Sequence, residues 1–269
     1  MSFFFLVYPL VGLCSGFLAG LLGIGGGLVV VPALLLIFPY QGLPAAGIVH
    51  TAVATSLATV IITSLIAAYA HHRHGAVEWL VVGRMAPGLL GGALAGAMLT
   101  MGISGEALRG VFGAFALLVA VQMGFGLQAT PRGRLPAAPG LAAAGAFIGM
   151  VSAMVGVGGG TLSVPFLRWG NVLMQRAIAT SSACGFPIAL GASLGFTLVE
   201  TLGGPTAAAP PAGIYWPAAL WIGAASIAAA PLGVRLTHRI STSLLTRVFA
   251  VILALIGIRL LWSWVQSWH

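Results

Sequence analysis

Eight apolar stretches fill this chain almost from end to end, at roughly 3–38, 45–70, 78–101, 105–127, 137–168, 175–199, 214–236 and 242–264. About 20 helical residues cross the hydrocarbon core of a bilayer, so every stretch is long enough to span it. Only 5% of the residues are charged, whereas a soluble domain carries about 25% because its surface must face water. Lipid as the outer solvent removes that need. The expected fold is an all-α, polytopic membrane helical bundle of about eight to ten hydrophobic segments. The N-terminal apolar run, Met1 to Gly20, lacks a basic n-region and an A-x-A site, so no cleaved signal peptide is expected.

The net charge of +8 comes from eleven arginines without a lysine, scattered between the apolar runs. Scattered arginines do not form a nucleic-acid surface; they read as topology signals and lipid anchors. Cys14 and Cys184 both lie in apolar stretches, which favours small packing residues over a redox pair.

Two segments match without a gap. Gly16-FLAGLLGIGGGLVVVP ends at Pro32, and Gly149-MVSAMVGVGGGTLSVP ends at Pro165, 133 residues later. Further on, Ala54-Thr55-Ser56 answers Ala179-Thr180-Ser181, and Ala86-Pro87 answers Ala230-Pro231. The chain is therefore a repeat, with halves at 1–130 and 137–269 around the polar stretch from Thr130. The two longest apolar stretches carry the glycine runs. If each crossed once, the arginines would divide five against six. If each enters and returns on one side, Arg73, Arg84, Arg132, Arg134, Arg168, Arg176, Arg235, Arg239 and Arg247 share a face, with only Arg109 and Arg259 opposite. Membrane proteins hold such a bias toward the cytoplasm. Each half is thus expected to be a Gly-broken hairpin plus three spans, the halves inverted, both termini outside a bacterial-type inner membrane. Trp79 and Trp169 then fall at the inner interface. Tyr40, Tyr215, Trp216, Trp262, Trp264 and Trp268 fall at the outer one.

Inverted repeats of broken segments are a transporter architecture. Polyglycine winds poorly into helix, and unwound backbone at mid-membrane depth must be buried in protein or line a cavity. Without Cβ atoms, its N–H groups can form an anion-binding nest. Pro32 and Pro165 are placed to begin returning half-helices, whose positive ends would face one site. The candidate substrate-binding residues are Gly23, Gly25, Gly26 and Gly27, with Gly156, Gly158, Gly159 and Gly160. Thr161 and the repeat-matched hydroxyls Thr55, Ser56, Thr180 and Ser181 join them. The structural alternative is that the glycines only let helices pack closely and that the hydroxyls bond their own helix backbone. The acids are Glu78, Glu106 and Glu200, all near span ends. A cation site would want a carboxylate near the centre, so an anion or a neutral solute fits better. Neither run is a dinucleotide fingerprint, because Leu28 and Thr161 stand where the last glycine belongs. No cofactor or metal is expected.

Paired G-x-G-G-G segments, each with proline five positions on, in two halves of a short apolar chain resemble the TauE/SafE sulfite exporter family (the toluene-sulfonate uptake permease group). The resemblance covers essentially the whole chain. It implies transport of a small sulfur-containing anion, sulfite or an organosulfonate, commonly outward. It points to Gly23–Gly27 with Pro32 and to Gly156–Gly160 with Pro165.

Two patterns compete. Gly191-Ala192-Ser193-Leu194-Gly195 spells G-x-S-x-G, the nucleophile elbow; an intramembrane serine hydrolase would need a positioned base, and His50 and His238 sit near span ends. His71-His72-Arg73-His74 has metal-ligand residues but no acidic or cysteine partner, so a juxtamembrane loop is expected there. A channel-like anion pathway is the alternative to a carrier. The expected partners are the small anion and the bilayer, without nucleic acid.

Overall fold

The computed structural model describes residues 4–44, 47–126, 133–202, 213–237 and 243–266, and within them the regular structure is helical. The first half comprises α1 (Phe4–Leu22), α2 (Gly27–Ile37) with a 3-10 turn at Phe38–Gln41, α3 (Ile48–His72), α4 (Trp79–Met101) and α5 (Gly105–Gly124). The second repeats the order as α6 (Ala138–Val155), α7 (Gly160–Trp169), α8 (Met174–Leu202), α9 (Trp216–Thr237) and α10 (Ser243–Gln266). Among the described residues, seven helices are long and apolar enough to cross a membrane: α3, α4, α5, α6, α8, α9 and α10. The three glutamates lie at helix ends, and Trp79, Trp169, Tyr40, Trp216 and Trp262 are exposed. Trp268, Arg132, Arg239 and His238 lie outside the described residues.

Both glycine-rich stretches are hairpins. Tyr8, early in α1, packs in one apolar cluster with Val30, Leu34 and Phe38 of the returning arm. In the second half the Gly133 N–H donates to the Trp169 carbonyl at 3.2 Å, so the chain before α6 lies against the end of α7. The arms are unequal. Helices α1 and α6 have 19 and 18 residues, about 28 Å at about 1.5 Å per residue. Helices α2 and α7 have 11 and 10, about half that length. The end of α1 runs deep: His71, near the end of α3, donates through Nε2 to the Gly20 carbonyl at 3.1 Å. Thr237, closing α9, donates to the Leu21 carbonyl at 2.8 Å. The chain then turns back, and the Gly25 carbonyl accepts from Thr63, two turns up α3 from His71, at 3.0 Å.

The proline expectation needs correcting. Helices α2 and α7 start at Gly27 and Gly160, so Pro32 and Pro165 are their sixth residues. The start is set earlier by Gly26 and Gly159, whose φ of 78° and 77° places them in the left-handed region that favours glycine. The third glycine of each run is helical; the unwound part is 23–26 and 156–159.

The halves are interleaved. Helix α1 packs along α9 and α6 along α4, and α4 meets α8 as α3 meets α9. Helices α3 and α8 pack on each other at the centre, while α5 and α10 pair at the side. Small residues make these crossings possible. A Cβ on Gly12, Gly16 or Gly20 of α1 would overlap α9, and one on Gly88, Gly92 or Gly96 of α4 would overlap α6. The two cysteines are unpaired; Cys184 is buried, but Cys14 is exposed on α1 and is not a core packing residue.

Candidate functional site

The two breaks cross at the centre of the molecule, backbone against backbone. A Cβ on Gly25 would stand 2.8 Å from Gly158 Cα, and one on Gly158 would stand 2.9 Å from Gly25 Cα. On either side of that crossing, a Cβ on Gly27 would overlap the Gly156 carbonyl, and one on Gly160 would overlap the Gly23 carbonyl. These contacts are reciprocal under the 133-residue repeat. Close approach of the main chain therefore accounts for glycine at 25, 27, 158 and 160. Positive φ accounts for it at 23, 26, 156 and 159, and adds to the close approach at 25.

The same crossing brings together the starts of α2 and α7. The first N–H groups of a helix have no acceptor inside it, and with the helix dipole they make its N-terminus a place for negative charge. Both N-caps are glycines without a capping side chain.

The repeat-matched hydroxyls are committed to main-chain groups of the opposite half. Ser56 donates to the Gly156 carbonyl at 2.8 Å, and Ser181 donates to the Gly23 carbonyl at 3.2 Å. Thr55 accepts from the Tyr215 N–H at 2.9 Å, just before α9; Thr180 accepts from the Glu78 N–H at 3.1 Å, just before α4. All four are fully buried. The two serines bond the breaks themselves, and the two threonines bond the chain entering α9 and α4.

Three other hydroxyls behave differently. Thr161 and Ser163 in the first turns of α7, and Ser152 on α6, are buried without a hydrogen-bond partner in the protein. Ser152 lies near the break, its Oγ 3.4 Å from where a Gly159 Cβ would be. A buried hydroxyl without a partner costs free energy, so these oxygens are available to a polar ligand. Selection by repeat matching passed over Ser152, because the matching position is Ala19 and the corresponding turn of α2 carries Leu28 and Val30.

Ser193 lies inside α8, not at a strand-to-helix turn. The flanking Gly191 and Gly195 meet Leu90 and Leu94 of α4, so small residues at a helix crossing account for the pattern. The three histidines at the end of α3 and just beyond it diverge: His71 Nε2 bonds Gly20, His72 Nδ1 accepts from Trp79 Nε1 at 3.0 Å, and His74 Nδ1 bonds Ala70. Among the described residues no group of three or more His, Cys, Asp or Glu could hold a metal ion.

A multi-pass helical bundle, duplicated and broken by glycine at its centre, defines a membrane transporter class. The sequence profile described as "Sulfite exporter TauE/SafE" matches residues 8–260, and the chain belongs to that family. It is similar to a probable membrane transporter protein of Haemophilus influenzae, with 33% identity covering 97% of this chain and 99% of that one. It is also similar to proteins of the same description from Xylella fastidiosa (30% identity, 94% and 92% covered) and Methanocaldococcus jannaschii (28%, 96% and 97%). No solved structure matches it.

Proposed function

We propose that this membrane transporter carries a small sulfur-containing anion, sulfite or an organosulfonate, outward across a bacterial-type inner membrane. The observation that carries this reading is the meeting of two half-helix N-termini at back-to-back glycine breaks, beside buried hydroxyls that lack a partner. The binding shell comprises first-turn N–H groups at Gly27 and Gly160 with Thr161, while the remaining glycines and Thr55, Ser56, Thr180 and Ser181 shape its frame. Three helices long enough to cross, α3 to α5, lie between the hairpins, which supports hairpins entering from opposite faces and inverted halves. The nine-to-two arginine bias supports both termini outside.

The test is thermal unfolding of the purified protein with single oxyanions. A ligand binding only the native state at about 100 times its Kd adds about 2.7 kcal/mol, or about 5–10 °C in Tm at this size. Sulfite or an organosulfonate should give that shift where chloride does not. Thr161→Val should abolish it and Thr161→Ser should keep it; equal shifts with chloride, or an undiminished shift in Thr161→Val, would overturn the reading. Counterflow in proteoliposomes separates a carrier from a channel.

A further inference from the structure

We infer that Glu78 and Arg176 form an ionic latch over the approach to the central breaks from the arginine-rich face, and that the matching positions on the opposite approach, Tyr215 and Thr51, form no ion pair. The inference rests on the reading of the breaks as the transport site.

Consecutive residues Thr180 and Ser181 of α8 hold two different parts of the first half. Thr180 accepts from the Glu78 N–H, and Ser181 donates to the Gly23 carbonyl of the first break. One turn earlier on α8, the Arg176 guanidinium donates to the Glu78 carboxylate. The entry to α4, the first turns of α8 and the break are thus joined in one clasp. Gly23 lies against Ile178 and Ser181 of α8, so a movement that draws the first turns of α8 away from the first half releases Glu78 and uncovers Gly23 together.

The repeat builds the same clasp at the other end. Thr55 and Ser56 of α3 hold the Tyr215 N–H and the Gly156 carbonyl. Tyr215, immediately before α9, stands where Glu78 stands before α4. Thr51, four residues before Thr55, stands where Arg176 precedes Thr180. Neither carries a charge, and although the Glu200 carboxylate lies near Gly213, it forms no ion pair among the described residues. Both clasps are closed in this structure, which holds the breaks shut from both faces. Opening the charged one separates two ions that opening its counterpart does not, so the latch biases the resting protein toward opening on the face away from the arginines. The pair is partly exposed, with side chains 52% and 37% accessible; water weakens it, which keeps the latch breakable.

The test uses the full chain with Cys14→Ser and Cys184→Ala and a cysteine placed at Ile178→Cys, whose main-chain oxygen lies against Gly23. Membrane vesicles of both orientations are treated with an impermeant maleimide. Labelling at position 178 should be slow with the latch intact. Arg176→Gln and Glu78→Gln should each speed it about two- to fivefold from the arginine-rich face, the range an exposed ion pair supports. The charge-swapped variant Glu78→Arg/Arg176→Glu should return it toward the starting rate, which also shows that the altered pair folds. Unchanged labelling in both single variants, equal acceleration from both faces, or no recovery in the swapped variant would overturn the latch. No anion is needed for this readout, so its failure is separate from failure of the thermal-shift test.

Discussion

Replacing Gly160 by alanine adds one methyl group at the point where the two halves cross. That methyl would overlap the Gly23 carbonyl oxygen and stand well inside contact distance of Ile24 Cα. Both are main-chain atoms, so no side-chain rotation relieves the clash; the breaks must separate. Overpacking of this kind costs about 1–3 kcal/mol, occasionally more, and absence of a flexible neighbour puts Gly160→Ala at about 2–3 kcal/mol. At about 2–4 °C per kcal/mol for a chain of this size, Tm in detergent should fall by about 4–12 °C. Gly27→Ala, its repeat mate, meets the Gly156 carbonyl and Val157 Cα in the same way and should cost a similar amount. Because both substitutions open one crossing, the double variant should lose less than the sum. Gly91→Ala on α4, with nothing within 4 Å of its added Cβ, is the control and should stay within about 1 kcal/mol of the parent. A Tm for Gly160→Ala equal to that of Gly91→Ala would refute the crossing, and so would a fully additive double variant.

Ser56→Ala and Ser181→Ala each leave one buried carbonyl, Gly156 or Gly23, without its hydroxyl donor, and each should lower unfolding free energy by about 1–3 kcal/mol in detergent. Ser193→Ala should leave transport unchanged and remove nothing that a fluorophosphonate probe labels, whereas Gly191→Leu, driven into the Leu90 carbonyl, should lower Tm by several degrees; labelling of Ser193 would reverse that assignment. His71→Phe removes the Nε2 donor to Gly20 and should speed hydrogen exchange at the first break, with α5 and α10 as the unaffected reference.

Much of this arrangement is legible in the sequence because its signals are local or periodic. Apolar length gives the spans, the 133-residue match gives the repeat, and the glycine-rich runs mark the breaks between helices. What the sequence does not disclose are contacts between distant residues. Thr55, Ser56, Thr180 and Ser181 stand out by repeat matching, but the acceptors and donors they meet lie 100 to 160 residues away. Pro32 and Pro165 suggest helix starts because proline suits a first turn; a left-handed glycine six residues earlier overrides that preference. Ser152 escaped because repeat matching selects what the halves share, and the matching position in the first half is Ala19.

The exchange of partners between halves also governs how the molecule can be made. Helix α1 leaves the ribosome with its small-residue face unmatched, and the helix that covers that face, α9, begins nearly 200 residues later. Until then α1 has only lipid, or the insertion machinery, against Gly12, Gly16 and Gly20. A truncated product ending after α5 would carry two uncovered seams, on α1 and on α4, and would be a substrate for membrane quality control instead of a half-sized bundle.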